Sequence, residues 1–525
     1  LFLPYPILFL CLYISKEKTC LMVEGVQEVS IDGIALFAFL AYLMGIIAIG
    51  FFSSRFSSKG ISEYFVGGRK INRFVVGLSA VVSGRSAWLL IGFTGMAYST
   101  GAAAIWAVVG YIVVEVFLFF HYARRLRRYA EVKNCITVPD FFASRFPKEA
   151  VILRMVMVSV ILVFMAGYVA AQFVAGGKTF SSAFGLQESS GIILTAAIVL
   201  LYTVVGGFLA VSLTDVLQAI LMILSLMILP IFLIADLGGY GLMAEALRAL
   251  DPQFVDPYAL TIGAMIASLG IGLGSPGNPH IISRYISIEN EKQLVTAGIV
   301  GSIWNILMAA GAFFIGFAGR AILPEVEMLP AGDAENLFVY LASQYLPSFL
   351  FGLVIASVFA AIMSSADSQL LVAASGVVRD FFEKVYYRKR SLPQAFLLKI
   401  SRLTVFVLVI GALIMGFLAE DLVFWLVLFA WAGLGAAIGP ASLLALYWRG
   451  TTGAGILAAM ISGTIVTIVW RLTPTLREIT YELIPGFATA LFMGILISLL
   501  TKKPEENEED FLIMKGDKIV LKKPD

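Results

Sequence analysis

Apolar runs of roughly 20 residues recur from Ile34 almost to the C-terminus, and a run of that length at 1.5 Å rise per residue crosses the ~30 Å hydrocarbon layer of a bilayer. Backbone groups in lipid must be satisfied within the chain, which leaves helices or closed barrels, and runs without strict alternation are helices. With 525 residues, 60% of them hydrophobic and 14% charged, the chain has too much apolar surface for a water-soluble core. The expected class is an all-α polytopic membrane protein, with the lipid bilayer as its solvent.

About thirteen spanning segments are expected. Their cores lie near Ile34 to Phe52, Val75 to Ser99, Ala102 to Phe120, Val151 to Ala175, Ile192 to Val205, Val216 to Ile234 and Leu260 to Ile282. The remaining six are Val295 to Ala318, Phe349 to Ala373, Ile400 to Leu418, Leu422 to Leu446, Gly453 to Trp470 and Phe487 to Leu500. Residues 1–21 read as a doubtful extension, with a run too short to span comfortably and a natural start at Met22; residues 22–501 are expected to form the transmembrane domain. The tail, 502–525, carries Glu505, Glu506, Glu508, Glu509 and Asp510 and is expected to be solvated.

The net charge of +2 gives no sign of a nucleic-acid partner, because the basic residues sit in short clusters between apolar runs. Alternate loops are rich in Lys and Arg, notably Arg69, Lys70 and Arg73, then Arg124, Arg125, Arg127 and Arg128. The opposite loops are acidic, with Asp236, Asp251, Asp256, Glu325 and Glu335. Positive charge marks the cytoplasmic side, so a multi-pass protein of the cell membrane with its N-terminus outside and its C-terminus cytoplasmic is expected. The three cysteines show no disulfide or metal spacing.

Polar and helix-breaking residues in mid-span are expensive, and three places carry them. Ser83-Gly84-Arg85-Ser86-Ala87 interrupts the second apolar segment. A break there exposes carbonyls and helix ends to a cavity, whereas small residues alone would serve close packing. Gly270 to His280, with four glycines and two prolines, cannot sustain a regular helix. It lies in the seventh segment, five after the first break, the separation expected of an inverted five-plus-five repeat. His280 reads as a hydrogen-bonded structural group or a proton site. In Met363-Ser364-Ser365-Ala366-Asp367-Ser368, serine hydroxyls gather on one helix face and offer oxygens to a hard cation, or else back-bond to their own helix. Asp215, just ahead of Val216, reads as a helix N-cap.

At these residues the chain resembles the sodium/solute symporter family. The matching stretches are EYFVGGR from Glu63, TVPDFFASRF from Thr137, YTVVGGFLAVSLTDVLQA from Tyr202, NPHIISRY from Asn278, AAIMSSADSQLLVAAS from Ala360 and FAWAGLGAAIGP from Phe429. The resemblance implies a LeuT-type fold, two inverted five-helix repeats with flanking helices. It implies sodium-coupled symport of a small organic solute, an amino acid such as proline or a related carboxylate, with sodium as coupling ion, no organic cofactor and no enzymatic activity. The sodium ligands it implies are the carbonyls of Val82, Arg85 and Ala361 and the hydroxyls of Ser364 and Ser365, with Asp215 on a possible second cation route. The solute would meet Arg85, Ser86, Trp88, Tyr168, Ile271, Ser275, Asn278 and Pro279.

The chain also departs from its proline-carrying relatives. Gly84 and Arg85 stand where those have aspartate and methionine, and Ile271 and Ser275 replace a tryptophan and a tyrosine. Arg85 therefore admits three roles: meeting a substrate carboxylate, pairing with Asp367 or another acid, or replacing the cation in a sodium-independent carrier or exchanger. A channel or a membrane sensor is the competing class.

Overall fold

The computed structural model describes residues 32–57, 60–388, 392–419, 422–502 and 507–516, and these are helical apart from short connections and one isolated bridge between Ile71 and Ile288. The extension 1–21, the expected start at Met22 and the tail residues 503–506 and 517–525 lie outside the described residues. The N-terminal half contains α1 (Gly33–Ser57), α2 (Arg73–Ala87), α3 (Ile105–Phe117), α4 (Ala123–Val132), α5 (Val138–Arg145), α6 (Ala150–Phe184) and α7 (Glu188–Asp236). There follow α8 (Ile262–Gly270), α9 (Pro279–Ser287), α10 (Leu294–Ile322), α11 (Leu337–Tyr345) and α12 (Ser348–Ser375). The C-terminal part contains α13 (Gln394–Phe417), α14 (Val423–Tyr447), α15 (Gly453–Leu472), α16 (Leu483–Leu500) and α17 (Asn507–Lys515).

Among the described residues, 10 helices are long and apolar enough to cross a membrane. The thirteen expected segments map onto them once two facts are added. The 60-residue stretch Arg73–Val132 holds two segments, divided at Gly101, where φ is 62°. Two further segments are the shorter apolar helices Glu188–Leu201 and Ile262–Gly277, the first cut from the rest of α7 at Gly207, where φ is 63°.

The helices sort by what they face. Nearly all of α12 and α14 is buried. By contrast α13 exposes Leu403, Phe406, Val407 and Ile414, an apolar surface that in a soluble protein would aggregate and in a bilayer meets acyl chains. Close backbone approach brings the second broken segment into this core. A Cβ on Gly272 would lie 2.2 Å from the Gly110 carbonyl oxygen, so α3 reaches the break only because both positions are glycine.

The expected solvated tail is corrected for α17. Phe511, Ile513 and Met514 are buried, and Asp510 pairs with Arg145 at 3.0 Å and with Lys133 at 3.1 Å. Arg128 donates to the carbonyl of Lys515 at 2.7 Å, placing a cation at the helix C-terminus, while Glu508, Glu509 and Asp510 occupy its first turn. The described acids Glu508, Glu509 and Asp510 thus open a short helix seated on the basic α4 and on Arg145 of α5. Asp510→Asn should loosen it, because Arg145 and Lys133 would lose their shared carboxylate. Faster tryptic cleavage after Lys515 with the rest of the protein intact is the expected result, and an unchanged digestion rate would count against the clamp.

Cys135 is buried beside α5, and burial pushes its thiol up to about 12, leaving it protonated and unreactive.

Candidate substrate and sodium sites

The first break falls at Ser86, where α2 adopts φ 48° and ψ −171° before the chain resumes as helix at Trp88. A non-glycine residue in that region stores about 1–3 kcal/mol of strain and persists only where its surroundings hold it. They do so here. Ser86 Oγ accepts the Trp88 N–H at 3.1 Å, and the Ala87 N–H donates to Gln172 Oε1 of α6 at 3.1 Å. With that N–H diverted, the Ser83 carbonyl accepts instead from the hydroxyl of Ser365, at 2.9 Å.

The neighbouring oxygens gather at the contact between α2 and α12. Ser364 Oγ lies 3.5 Å from the Val82 carbonyl and 3.1 Å from the Ala361 carbonyl. These are neutral, hard oxygen donors around one point, which suits a monovalent alkali cation better than a transition metal. Two of the expected ligands are otherwise engaged: Ser365 is bonded to Ser83, and the carbonyl of Arg85 accepts from the Trp88 N–H. The back-bonding expected as the alternative role for these serines also occurs within α12, from Ser368 to Ser364 O at 2.7 Å.

A small cavity lies on the other side of the break, lined by Gly84, Arg85, Trp88, Tyr168, Ile271, Trp431 and neighbouring α14 residues. Phe424 stacks on Trp88 with ring centres 5.7 Å apart, and Trp431 donates its indole N–H to the Ile271 carbonyl at 2.8 Å. Tyr168 reaches Ser86 Oγ at 3.5 Å. Of the expected solute contacts, Arg85, Trp88, Tyr168 and Ile271 come together here with Ser86 beside them. The others do not. Ser275 faces Glu115 at 3.5 Å, Asn278 folds back onto the Gly274 carbonyl at 2.8 Å, and Pro279 lines a separate crevice with Val138 and Ser375.

Arg85 is buried and forms its ion pair with Glu115 of α3, so of the internal partners left open it meets another acid and not Asp367. The guanidinium also lies over the Tyr111 ring at 3.9 Å, and the second carboxylate oxygen of Glu115 accepts from Asn305 Nδ2 of α10 at 2.8 Å. Glu115 was not among the expected site residues. An acid in the middle of the Ala102 to Phe120 run is the signal that could have found it.

Asp215 is not an N-cap. It lies well inside α7, fully buried, and accepts from Ser79 Oγ at 2.5 Å, Ser83 Oγ at 3.4 Å and Arg284 Nη2 at 3.3 Å. Arg284 also bonds Ser79, Ser368 and the His280 carbonyl, and Asp367 accepts from Ser368 Oγ at 3.2 Å. A second buried cluster, with two carboxylates and one guanidinium, therefore adjoins the serine oxygens. His280 is buried, its ring edge-on to Tyr168.

A sodium:solute symporter family model matches residues 64–463. Staphylococcus aureus proteins named sodium/proline symporter, from strains JH9 and JH1 among others, are 36% identical over 487 residues, covering 91% of this chain and 95% of theirs. A solved sodium-coupled sialic acid symporter in a substrate-bound outward-open state superposes with a TM-score of 0.76 at 19% identity, covering 90% of this chain and 99% of that one. Mhp1, a nucleobase-cation-symport-1 family transporter in a closed conformation, superposes with a TM-score of 0.52 at 14% identity over 86% of this chain and 98% of its own. At those identities the superpositions speak to the fold, which is of the LeuT type.

Proposed function

The chain belongs to the sodium:solute symporter family, and on that premise we propose that it moves a small carboxylate-bearing solute together with sodium by alternating access, amino acids such as proline being the first candidates. It is a multi-pass membrane transporter and not an enzyme. The observation that carries the substrate class is a pair of buried donors at the cavity: Arg85 Nε and Trp88 Nε1 make no hydrogen bond among the described residues. Buried donors left unpaired are costly, and a solute carboxylate would satisfy both.

In the proposed cycle, sodium is held by the Val82 and Ala361 carbonyls and the Ser364 hydroxyl, with Ser365 joining when it releases Ser83. The ion draws the broken α2 against α12 and so orders the wall of the cavity. The solute then binds between Arg85, Trp88, Tyr168 and Ile271, and the core bundle rocks to open inward. Asp215 extends the oxygen-lined path beyond Ser83 and is the proposed second cation route. The basic loops support an N-terminus outside and a C-terminus in the cytoplasm, where sodium entry gains ~2.3 kcal/mol per 100 mV of inside-negative potential.

The alternative, in which Arg85 itself replaces the cation, is weakened by the geometry, because the Arg85 charge is already matched by Glu115.

Uptake of labelled proline, other amino acids and simple carboxylates into proteoliposomes tests the proposal. Uptake stimulated several-fold by an inward sodium gradient is expected for at least one carboxylate. Transport of such a solute at a rate indifferent to sodium would overturn the coupling, and uptake confined to solutes without a carboxylate would overturn the substrate class.

A further inference from the structure

We infer that Glu115 is the residue that makes sodium necessary, by cancelling the charge of Arg85 so that the guanidinium cannot act as the cation of the site. The inference rests on the symport proposed above and concerns how its coupling is built.

The geometry sets the charge balance. Arg85 stands one helical turn after Val82, whose carbonyl belongs to the oxygen cluster with Ser364 and Ala361. A bare guanidinium there would raise the local potential and repel a monovalent cation, and it would also neutralise a solute carboxylate without help. Either effect uncouples a symporter. Glu115 removes both, and it is itself fixed from three other sides by Asn305 of α10, Ser275 of the second broken segment and its own helix α3. The side chains of Arg85 and Glu115 are only 2% and 6% exposed, so solvent does little to screen either charge. With the pair formed, the cavity is neutral. A carboxylate entering it brings one negative charge into a buried site, and a sodium ion at the adjacent oxygens restores neutrality.

The arrangement also accounts for the departure at Gly84 and Arg85. An arginine in the first break is compatible with sodium coupling only if an acid is supplied from elsewhere in the bundle, and α3 supplies it. Glu115 does not line the cavity, so it acts through Arg85 as a positioning and charge-setting residue rather than as a solute contact.

Binding of radiolabelled sodium to the purified full-length carrier, with no organic solute present, tests this without knowing the substrate. Glu115→Gln leaves Arg85 uncompensated within about 10 Å of the sodium oxygens and should weaken sodium binding roughly tenfold or more. Arg85→Met has the opposite sign: it leaves Glu115 uncompensated and should tighten sodium binding. The double variant, neutral again, should return to within about threefold of the wild type on the same reasoning. This pattern of weaker, tighter and restored is one that general loosening of the bundle would not produce, since loosening weakens all three. Sodium affinity unchanged in Glu115→Gln, or weakened equally in Arg85→Met and the double variant, would overturn the inference while leaving the symport intact. A wild-type carrier that binds no sodium would overturn the symport itself and this inference with it. Should Glu115→Gln fail to fold, Arg85→Met against the double variant still decides the sign.

Discussion

Replacing Ser364 and Ser365 together by alanine is expected to abolish sodium-stimulated uptake at physiological sodium and to raise the half-saturating sodium concentration by roughly 100-fold. Ser364 Oγ is already within 3.5 Å of two carbonyls that face the same point, and Ser365 is one hydrogen bond from joining them. Each hydroxyl lost removes one oxygen from an ion that has given up its water, at about 1–3 kcal/mol per ligand. Two such losses correspond to roughly a hundredfold in affinity at 1.4 kcal/mol per tenfold. The folded state should suffer less, since each hydroxyl lost costs one or two neutral hydrogen bonds to backbone carbonyls, about 0.5–1.5 kcal/mol each. Sodium-titrated uptake, alongside a thermal melt of the same preparation, separates the two effects. Ser364→Thr with Ser365→Thr keeps both oxygens and should recover most of the sodium affinity. A double alanine variant whose sodium dependence moves less than threefold would remove these hydroxyls from the ion path.

Much of the architecture is legible from local chemistry. Glycine and proline cannot hide in a spanning helix, so both broken segments announce themselves, and Ser86 and the stretch Ile271–Gly277 lie where composition places them. The serine face of α12 is legible too, because helical periodicity alone sets Ser364 and Ser368 on one side. What escapes is everything that depends on which helices become neighbours. Asp215 has the local pattern of a cap, yet α7 runs on through it and the residue ends in the bundle core against Arg284. Arg85 needs an acid, but its own sequence neighbourhood cannot say whether that acid is Asp367 or Glu115. The tail misleads for a related reason: five acids suggest solvation, and only the basic α4 with Arg145 of α5 shows that Glu508, Glu509 and Asp510 form the first turn of a docked helix.

The two buried clusters share a logic with different balances. Around Arg85 one cation meets one carboxylate, a neutral balance that fits the solute and ion proposed to bind there. Around Arg284 one cation pairs with Asp215 and reaches Asp367 through Ser368, so two carboxyl groups share one cation just beyond the proposed sodium oxygens, with Ser83 and Ser368 linking the two regions. A sodium ion passing from the serine oxygens toward Asp215 would follow the second cation route proposed above.

Arg284 should accordingly be the residue whose loss the fold tolerates least. Its guanidinium bonds Ser79, Asp215, Ser368 and the His280 carbonyl and packs over the Phe208 ring at 4.9 Å, joining α2, α7, α9 and α12 at a point with about 1% exposure. Arg284→Met keeps much of the volume but leaves two carboxylates buried with no cation between them. Breaking a buried pair by removing one partner costs about 3–5 kcal/mol, and here the like charges add to it. The expected outcome is a melting temperature in detergent lower by several degrees, with poor recovery of monodisperse protein. Removing the excess acid should have the opposite effect. Asp367→Asn on its own should be neutral or stabilising, and combined with Arg284→Met it should recover part of the loss, because one buried negative charge is easier to accommodate than two. If Arg284→Met melts like the wild type, the guanidinium is not what holds these four helices together. If Asp367→Asn deepens the Arg284→Met defect, Asp367 contributes by shape or hydrogen bonding, and the charge balance assigned to this cluster is wrong.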